Sequence, residues 1–256
     1  MADITQVNQG NVSNEGKVNW RGDQSVTPQG GQSIYESSTI KLAELGERKV
    51  VGDRVFRYAK AKVGLSAGQV GQFGGEHLES IAVGSSVTQG AGMRVFTITA
   101  ATAIAANTYA EGYLVCGQGA TDSNLGMTYR IKSHAIGSSA GTCTFTLYDE
   151  IKYSVQLTST WGVTQNIYAA VNPSTANQVP LGIAPITVTT GDYFWLQTWG
   201  PAPLLGTCAV GSGLVSSVSG KATVITSALA QQVIGSPLVT LAAATNYDLV
   251  FITIAP

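Results

Sequence analysis

Thr128-Tyr129-Arg130-Ile131-Lys132-Ser133-His134-Ala135-Ile136, then Gly137-Ser138-Ser139-Ala140-Gly141, then Thr142-Cys143-Thr144-Phe145-Thr146-Leu147-Tyr148-Asp149 is the stretch whose reading decides the fold class. Both flanks alternate, with Tyr129 and Ile131 set against Arg130 and Lys132, and Cys143, Phe145 and Leu147 set against Thr142, Thr144 and Thr146. A period of two puts successive side chains on opposite faces of a strand, and β-branched and aromatic residues fit a pleated surface. The Gly/Ser run between the flanks fits a hairpin loop, so the stretch predicts two antiparallel strands.

The same style extends in both directions. Val50-Val51-Gly52-Asp53-Arg54-Val55-Phe56-Arg57-Tyr58-Ala59 reads as a hairpin turning at Gly52-Asp53. Further strands are predicted at residues 69–72, 78–83, 94–98, 112–116, 154–158, 186–189, 193–198, 214–217, 222–226, 232–239 and 248–254, with one helical turn at 227–232. Short strands at regular spacing, broken by Gly, Ser, Asn and Pro, predict an all-β sandwich or barrel of antiparallel strands. Residues 1–40 show no period of 2 or 3.6 and read as an extended N-terminal arm. A β domain is expected over 41–175, with a β subdomain over 176–256 continuing the same core. The Asn172–Pro180 loop is the expected internal boundary, and a single domain over 41–256 is the alternative.

Charge is distributed unevenly. Of 14 basic and 15 acidic residues, 16 fall within the first 62 positions, leaving 13 for all the rest of the 256-residue chain. A water-facing surface normally carries many more, so the later region is expected to press against other protein. The net charge of −1 supplies no field for phosphate or anionic lipid, and neither nucleic acid nor membrane is expected as a partner. The opening residues lack the pattern of a signal peptide, and synthesis in a cytoplasm is expected. Fully extended, an arm of about 40 residues reaches roughly 130 Å, enough to cross neighbouring subunits and add to an exposed sheet edge. Trp20 and Arg21 are its expected anchors, because Trp and Arg concentrate binding energy at interfaces. The Arg21-Gly22-Asp23 triplet matches an integrin ligand, a three-residue match that arises easily by chance.

No catalytic residue, cofactor site or metal site is expected. The loop spells GxSxG with Ser139 at its centre and His134 nearby, but a nucleophile elbow needs a helix after the turn and here a strand follows. His77 and His134 lie outside any metal-ligand spacing, no phosphate-binding loop occurs, and Asp149 and Glu150 would point to opposite faces of a strand. Cys116, Cys143 and Cys208 are too widely spaced for a metal ligand set and read as buried free thiols.

Asp192-Tyr193-Phe194-Trp195-Leu196-Gln197-Thr198-Trp199-Gly200-Pro201 places Tyr193, Trp195 and Trp199 on one strand face and Phe194 and Leu196 on the other. Burial on both faces, a subunit contact and a sugar-binding platform are the three readings of that segment. Together with 45–59, the hairpin 129–149 and the C-terminal pieces 210–217, 233–239 and 247–254, it resembles capsid decoration or cement proteins of tailed bacteriophages. The resemblance spans about residues 45–256 and lies in strand and turn style. It implies a virion protein on the capsid surface, a homotrimeric β-rich knob seated where capsomers meet, with the major capsid protein as partner. Tyr35, Trp195 and Trp199 join Trp20 and Arg21 as the expected capsid or subunit contacts. A tail-associated receptor- or carbohydrate-binding protein is the alternative.

Overall fold

In a computed structural model the described residues are 31–83, 89–118, 122–138, 141–175, 178–207, 209–225, 232–240 and 247–255. They form sixteen strands and one short 3-10 turn, so the all-β expectation holds. In chain order the first nine strands are β1 (Arg48–Val51), β2 (Arg54–Lys60), β3 (Val70–Phe73), β4 (His77–Ala82), β5 (Val95–Thr99), β6 (Tyr113–Gln118), β7 (Thr128–His134), β8 (Thr142–Leu147) and β9 (Thr160–Thr164). The remainder are β10 (Val171–Pro173), β11 (Pro180–Ile183), β12 (Tyr193–Leu205), β13 (Leu214–Ser216), β14 (Ala222–Val224), β15 (Val233–Pro237) and β16 (Tyr247–Thr253). The chain divides into two compact units, one made of Met1–Gly74 with Tyr168–Pro256 and one of Gly75–Ile167.

The Gly75–Ile167 unit is built around the hairpin of β7 and β8. Its six strands run in the order β4-β9-β6-β7-β8-β5, and a bridge from Val83 to Ile98 joins the two ends, so the sheet curls back on itself. Closure removes the open edges on which other chains could pair. The alternating residues that predicted the hairpin fill the interior: Tyr129, Ile131, Cys143, Phe145 and Leu147 pack with Phe96, Leu114, Trp161 and Val163. The register slips between Ile131 and Ser133, a bulge that the local pattern does not announce. Ser139 lies outside the described residues.

In the other unit a ten-stranded antiparallel sheet is organised by β12. Its first half pairs along β2, from Tyr193↔Lys60 to Trp199↔Val55 with a register slip between Gln197 and Trp199 that breaks the alternation expected to keep Tyr193, Trp195 and Trp199 on one face, and its second half pairs along β16, from Trp199↔Thr253 to Leu205↔Tyr247. Gly200 marks the changeover: its φ is +89°, and a Cβ there would sit 2.5 Å from the Asp53 carbonyl oxygen. Only glycine meets both demands without strain. The predicted turn of the β1–β2 hairpin is present, with Gly52 at φ +62°.

Several strand expectations are corrected. Residues 154–158 and 186–189 are not strands, apart from one bridge between Val188 and Leu65. The first stretch is held as a loop: the Gln156 N–H donates to Asp122 Oδ2, and just before the stretch the Tyr153 carbonyl accepts from Asn124 Nδ2. The strand nearby is β9, which was not expected; a Cβ on its Gly162 would approach Val115 Cγ1 to 3.2 Å. β10 and β11 were also unforeseen, and the Asn172–Pro180 stretch connects these two strands, which both pair with β3.

Candidate interaction surface

The last part of the expected arm is folded. Ile34 is buried against Phe56, Tyr58 and Trp195 on one face of the β1–β2–β12 sheet, with Ala43 packed beside it. Gln32 is the fastening point. Its side-chain amide donates to the Glu36 and Tyr193 carbonyls, its Oε1 accepts from the Tyr58 hydroxyl at 2.8 Å, and its own carbonyl accepts from Trp195 Nε1 at 3.0 Å and Lys49 Nζ at 2.9 Å. Such a buried polar group is fixed in place, since leaving any of these donors unpaired costs about 1–3 kcal/mol. Lys49 also stands 4.8 Å from the centre of the Trp195 ring. Burial pulls its pKa down, with Glu47 and Glu36 acting the other way.

The expected contact residues therefore fall in different settings. Trp195 is only 4% exposed, its ring already used by Tyr58, Lys49 and Gln32 of its own chain. Of the three readings of the aromatic segment, burial on both faces is the one that fits Phe194, Trp195, Leu196, Gln197 and Thr198. Tyr35 is 59% exposed, and its hydroxyl accepts from Arg54 Nη1 at 2.9 Å. Trp199 is half-buried and meets Phe251 edge to face at 5.8 Å between centroids. Trp20 and Arg21 lie outside the described residues.

Large apolar side chains stand in water elsewhere. Ile136 is 74% exposed, Ile40 68%, Val179 63% and Leu157 60%, and further examples occur in both units. Single exposed apolar residues are ordinary. What sets this surface apart is that so few charges are interleaved with them beyond residue 62.

His134, Cys143 and Cys116 are buried in settings that favour their neutral forms. His134 is buried; its Nε2 accepts from the Tyr109 N–H at 2.9 Å, so the proton sits on Nδ1, which lies 2.8 Å from the Ala135 carbonyl oxygen. Cys143 Sγ is 3.7 Å from that Nδ1. Burial lowers the His134 pKa and raises that of Cys143, so both are driven toward their uncharged forms. Burial likewise pushes the Cys116 thiol up to about 11. Both cysteines are free, on β6 and β8, whereas Cys208 lies outside the described residues. Among the described residues no group of three or more His, Cys, Asp or Glu side chains is placed to hold a metal ion. A hollow of about 240 Å³ lies beside the seam of β4 and β5, lined by Leu78, Ile81, Ile98, Ala100 and Ile104 with Glu79 as its one ionisable group.

Protonating His134 would set an N–H against the Tyr109 N–H, and this has a measurable consequence. Because the folded-state pKa is depressed, the unfolded chain binds the proton more readily. His134 therefore contributes its full stability above the ordinary value near 6.5 and loses it progressively as pH falls below that point. The expected result is a melting temperature that drops between pH 7 and pH 5. His134→Gln should flatten that part of the profile, and an unchanged slope would remove His134 as its cause.

No family model matches the chain, and no curated protein matches it. Among solved structures, the head fiber gp8.5 N base of bacteriophage phi29 aligns with a TM-score of 0.28 and 14% identity, over 63% of this chain and 94% of that chain. That likeness is too slight to assign either fold or function.

Proposed function

We propose that this chain is a structural virion protein of a tailed bacteriophage, one that binds the outside of the capsid at capsomer junctions and stabilises the shell. The observation that carries the reading is the surface: beyond residue 62 the chain has 13 charged side chains, while apolar residues such as Ile136, Val179 and Leu157 stand exposed. A protein that works alone in water gains solubility from charge, and one that spends its life in an assembly does not need it. The resemblance in strand and turn style to decoration proteins supplies the kind of assembly.

A binder that spans subunit boundaries stabilises only the assembled state, which is ordinary linkage. Several copies held together also raise the effective concentration for each further contact. In this reading the chain works through contact and not through chemistry, and its partners are the major capsid protein and further copies of itself, as a homotrimer.

The test is a binding and release experiment. Purified shells lacking the protein, incubated with the full chain, should take it up to a saturating, symmetry-related copy number. They should then release DNA at a higher temperature than undecorated shells. Failure to bind such shells, or binding that leaves their thermal stability unchanged, would overturn the proposal.

A further inference from the structure

The hairpin of β1 and β2 concentrates positive charge. Its strands carry Arg48, Lys49, Arg54, Arg57 and Lys60, five of the chain's 14 basic residues, and no carboxylate. Glu36, Glu44, Glu47 and Asp53 border it from the preceding segment and the turn, and Asp192 stands beside its far end, where its carbonyl accepts from the Ala61 N–H. Four of the five cations are fixed by their own chain. Lys49 stands over Trp195, Arg54 over Phe56 and Tyr35, and Lys60 over Tyr193, while Arg57 Nη1 donates to the Gly46 carbonyl. Arg48 is exposed and lies directly opposite Arg57, a like-charge pairing that costs stability unless an anion is set beside it.

β1 is also a sheet edge. Among the described residues it pairs with β2 alone, whereas β2 goes on to pair with β12. Successive residues of an antiparallel strand turn their N–H and C=O groups to opposite sides, and the two-residue turn at Gly52-Asp53 makes Val51↔Arg54 the first bonded pair. The main-chain groups of Val50 and Arg48 therefore point away from β2. An edge of this kind takes up a further strand through main-chain hydrogen bonds.

We infer that the β1 edge docks an extended acidic segment of a shell protein, which adds to the sheet as a further strand and sets a carboxylate beside Arg48. Main-chain bonds to Arg48 and Val50 supply affinity without a sequence code, and the cations of the hairpin choose the partner. Charge on an edge strand ordinarily keeps chains apart. Here it keeps apart chains of the same sign: a second copy would bring its own five cations against these, whereas opposite charges across neighbouring strands attract. The inference rests on the virion reading for the source of the segment and on the hairpin for its chemistry.

The test uses the full chain, with a synthetic peptide of alternating threonine and glutamate as the probe. Amide hydrogen exchange read by magnetic resonance should find the Arg48 and Val50 N–H groups exchanging freely in the chain alone and about 10-fold or more slowly with millimolar peptide. Added salt should weaken the binding, and a peptide of alternating threonine and lysine should leave both amides as they were. Arg48→Glu should weaken binding of the acidic peptide by about 10-fold or more, and Lys132→Glu in the other unit should leave it unchanged. Amides already protected in the chain alone would mean that the edge is filled by this chain or by a second copy, and would overturn the inference. So would equal protection by the lysine peptide, or acidic peptide that leaves the two amides unprotected. Shells are scored separately: a chain that binds the peptide but ignores shells refutes the virion reading and leaves this edge standing, whereas shells that take up Arg48→Glu as tightly as the parent refute the edge as the shell contact.

Discussion

Trp195→Ala is expected to cost about 3–5 kcal/mol of folding stability and to free residues 31–43 from the sheet, the usual loss for a buried aromatic truncated to alanine. The ring is buried against Tyr58 at 5.0 Å between centroids, and its Nε1 is one of two donors to the Gln32 carbonyl. Trp195→Phe separates the two contributions. It keeps most of the packing and removes one hydrogen bond from a carbonyl that still has Lys49, so about 1 kcal/mol should be lost. Denaturant midpoints give the magnitudes, and limited proteolysis near Tyr35 reports the release. If Trp195→Ala costs under 1 kcal/mol and leaves the cleavage rate unchanged, the ring is not what fastens this segment.

Asp122→Ala should be comparably severe in the other unit. The Asp122 carboxylate is 5% exposed and accepts from the Asn124 backbone and side-chain nitrogens, the Gln156 N–H and the Ser159 hydroxyl, the last at 2.6 Å. Removing it strands several buried donors at once, and a loss of about 3 kcal/mol or more is expected. Burial works against the charged form, but the hydrogen bonds from Ser159, Asn124 and Gln156 outweigh it and hold the pKa below the ordinary carboxylate value. The sign follows. Asp122 contributes fully above the unfolded carboxylate range, and its contribution disappears as pH falls through that range toward the lower folded-state value. Asp122→Asn should therefore abolish the corresponding acid-dependent part of the stability profile as well as lowering the neutral plateau. A variant that unfolds with the parent's acid profile would show that the carboxylate is not the group being titrated.

This network also shows what a sequence hides. Asp122, Asn124, Tyr129 and Ser159 carry no spacing that marks them as a set, yet the Tyr129 hydroxyl donates to Asn124 Oδ1 and ties a loop to a strand. Where a strand was expected at 154–158, the Gln156 N–H donates to the Asp122 side chain and the Val155 N–H to the Gln89 carbonyl, so the backbone of that loop is held by groups distant in the chain. The β12 strand was read only as far as Thr198, since Gly200, Pro201 and Pro203 are the residues that ordinarily end strands. In the fold those three are tolerated because Gly200 takes a positive φ against Asp53 and the prolines sit where no ladder bond is required of them.

What the sequence determined by itself is whatever rests on neighbours along the chain: alternation over 128–149, the Gly52-Asp53 turn, the all-β class and the scarcity of charge after residue 62. Period and turn chemistry act over a few residues and survive in any fold that uses them. Only the tertiary structure decided which faces are interior. Trp195 and Trp199 share one parity in the sequence, but the register slips between Gln197 and Trp199, so that Gln197 pairs with Phe56 and Trp199 with Val55 and alternation no longer holds the two rings to one face; Ile34 packs on the first, and the second is braced by Phe251, more than fifty residues further along the chain. The apolar face of Trp199, Pro201, Pro203, Phe251, Leu249 and Tyr247 exists only because β12 and β16 pair in one register. A slip of one residue would bury it and turn the core outward.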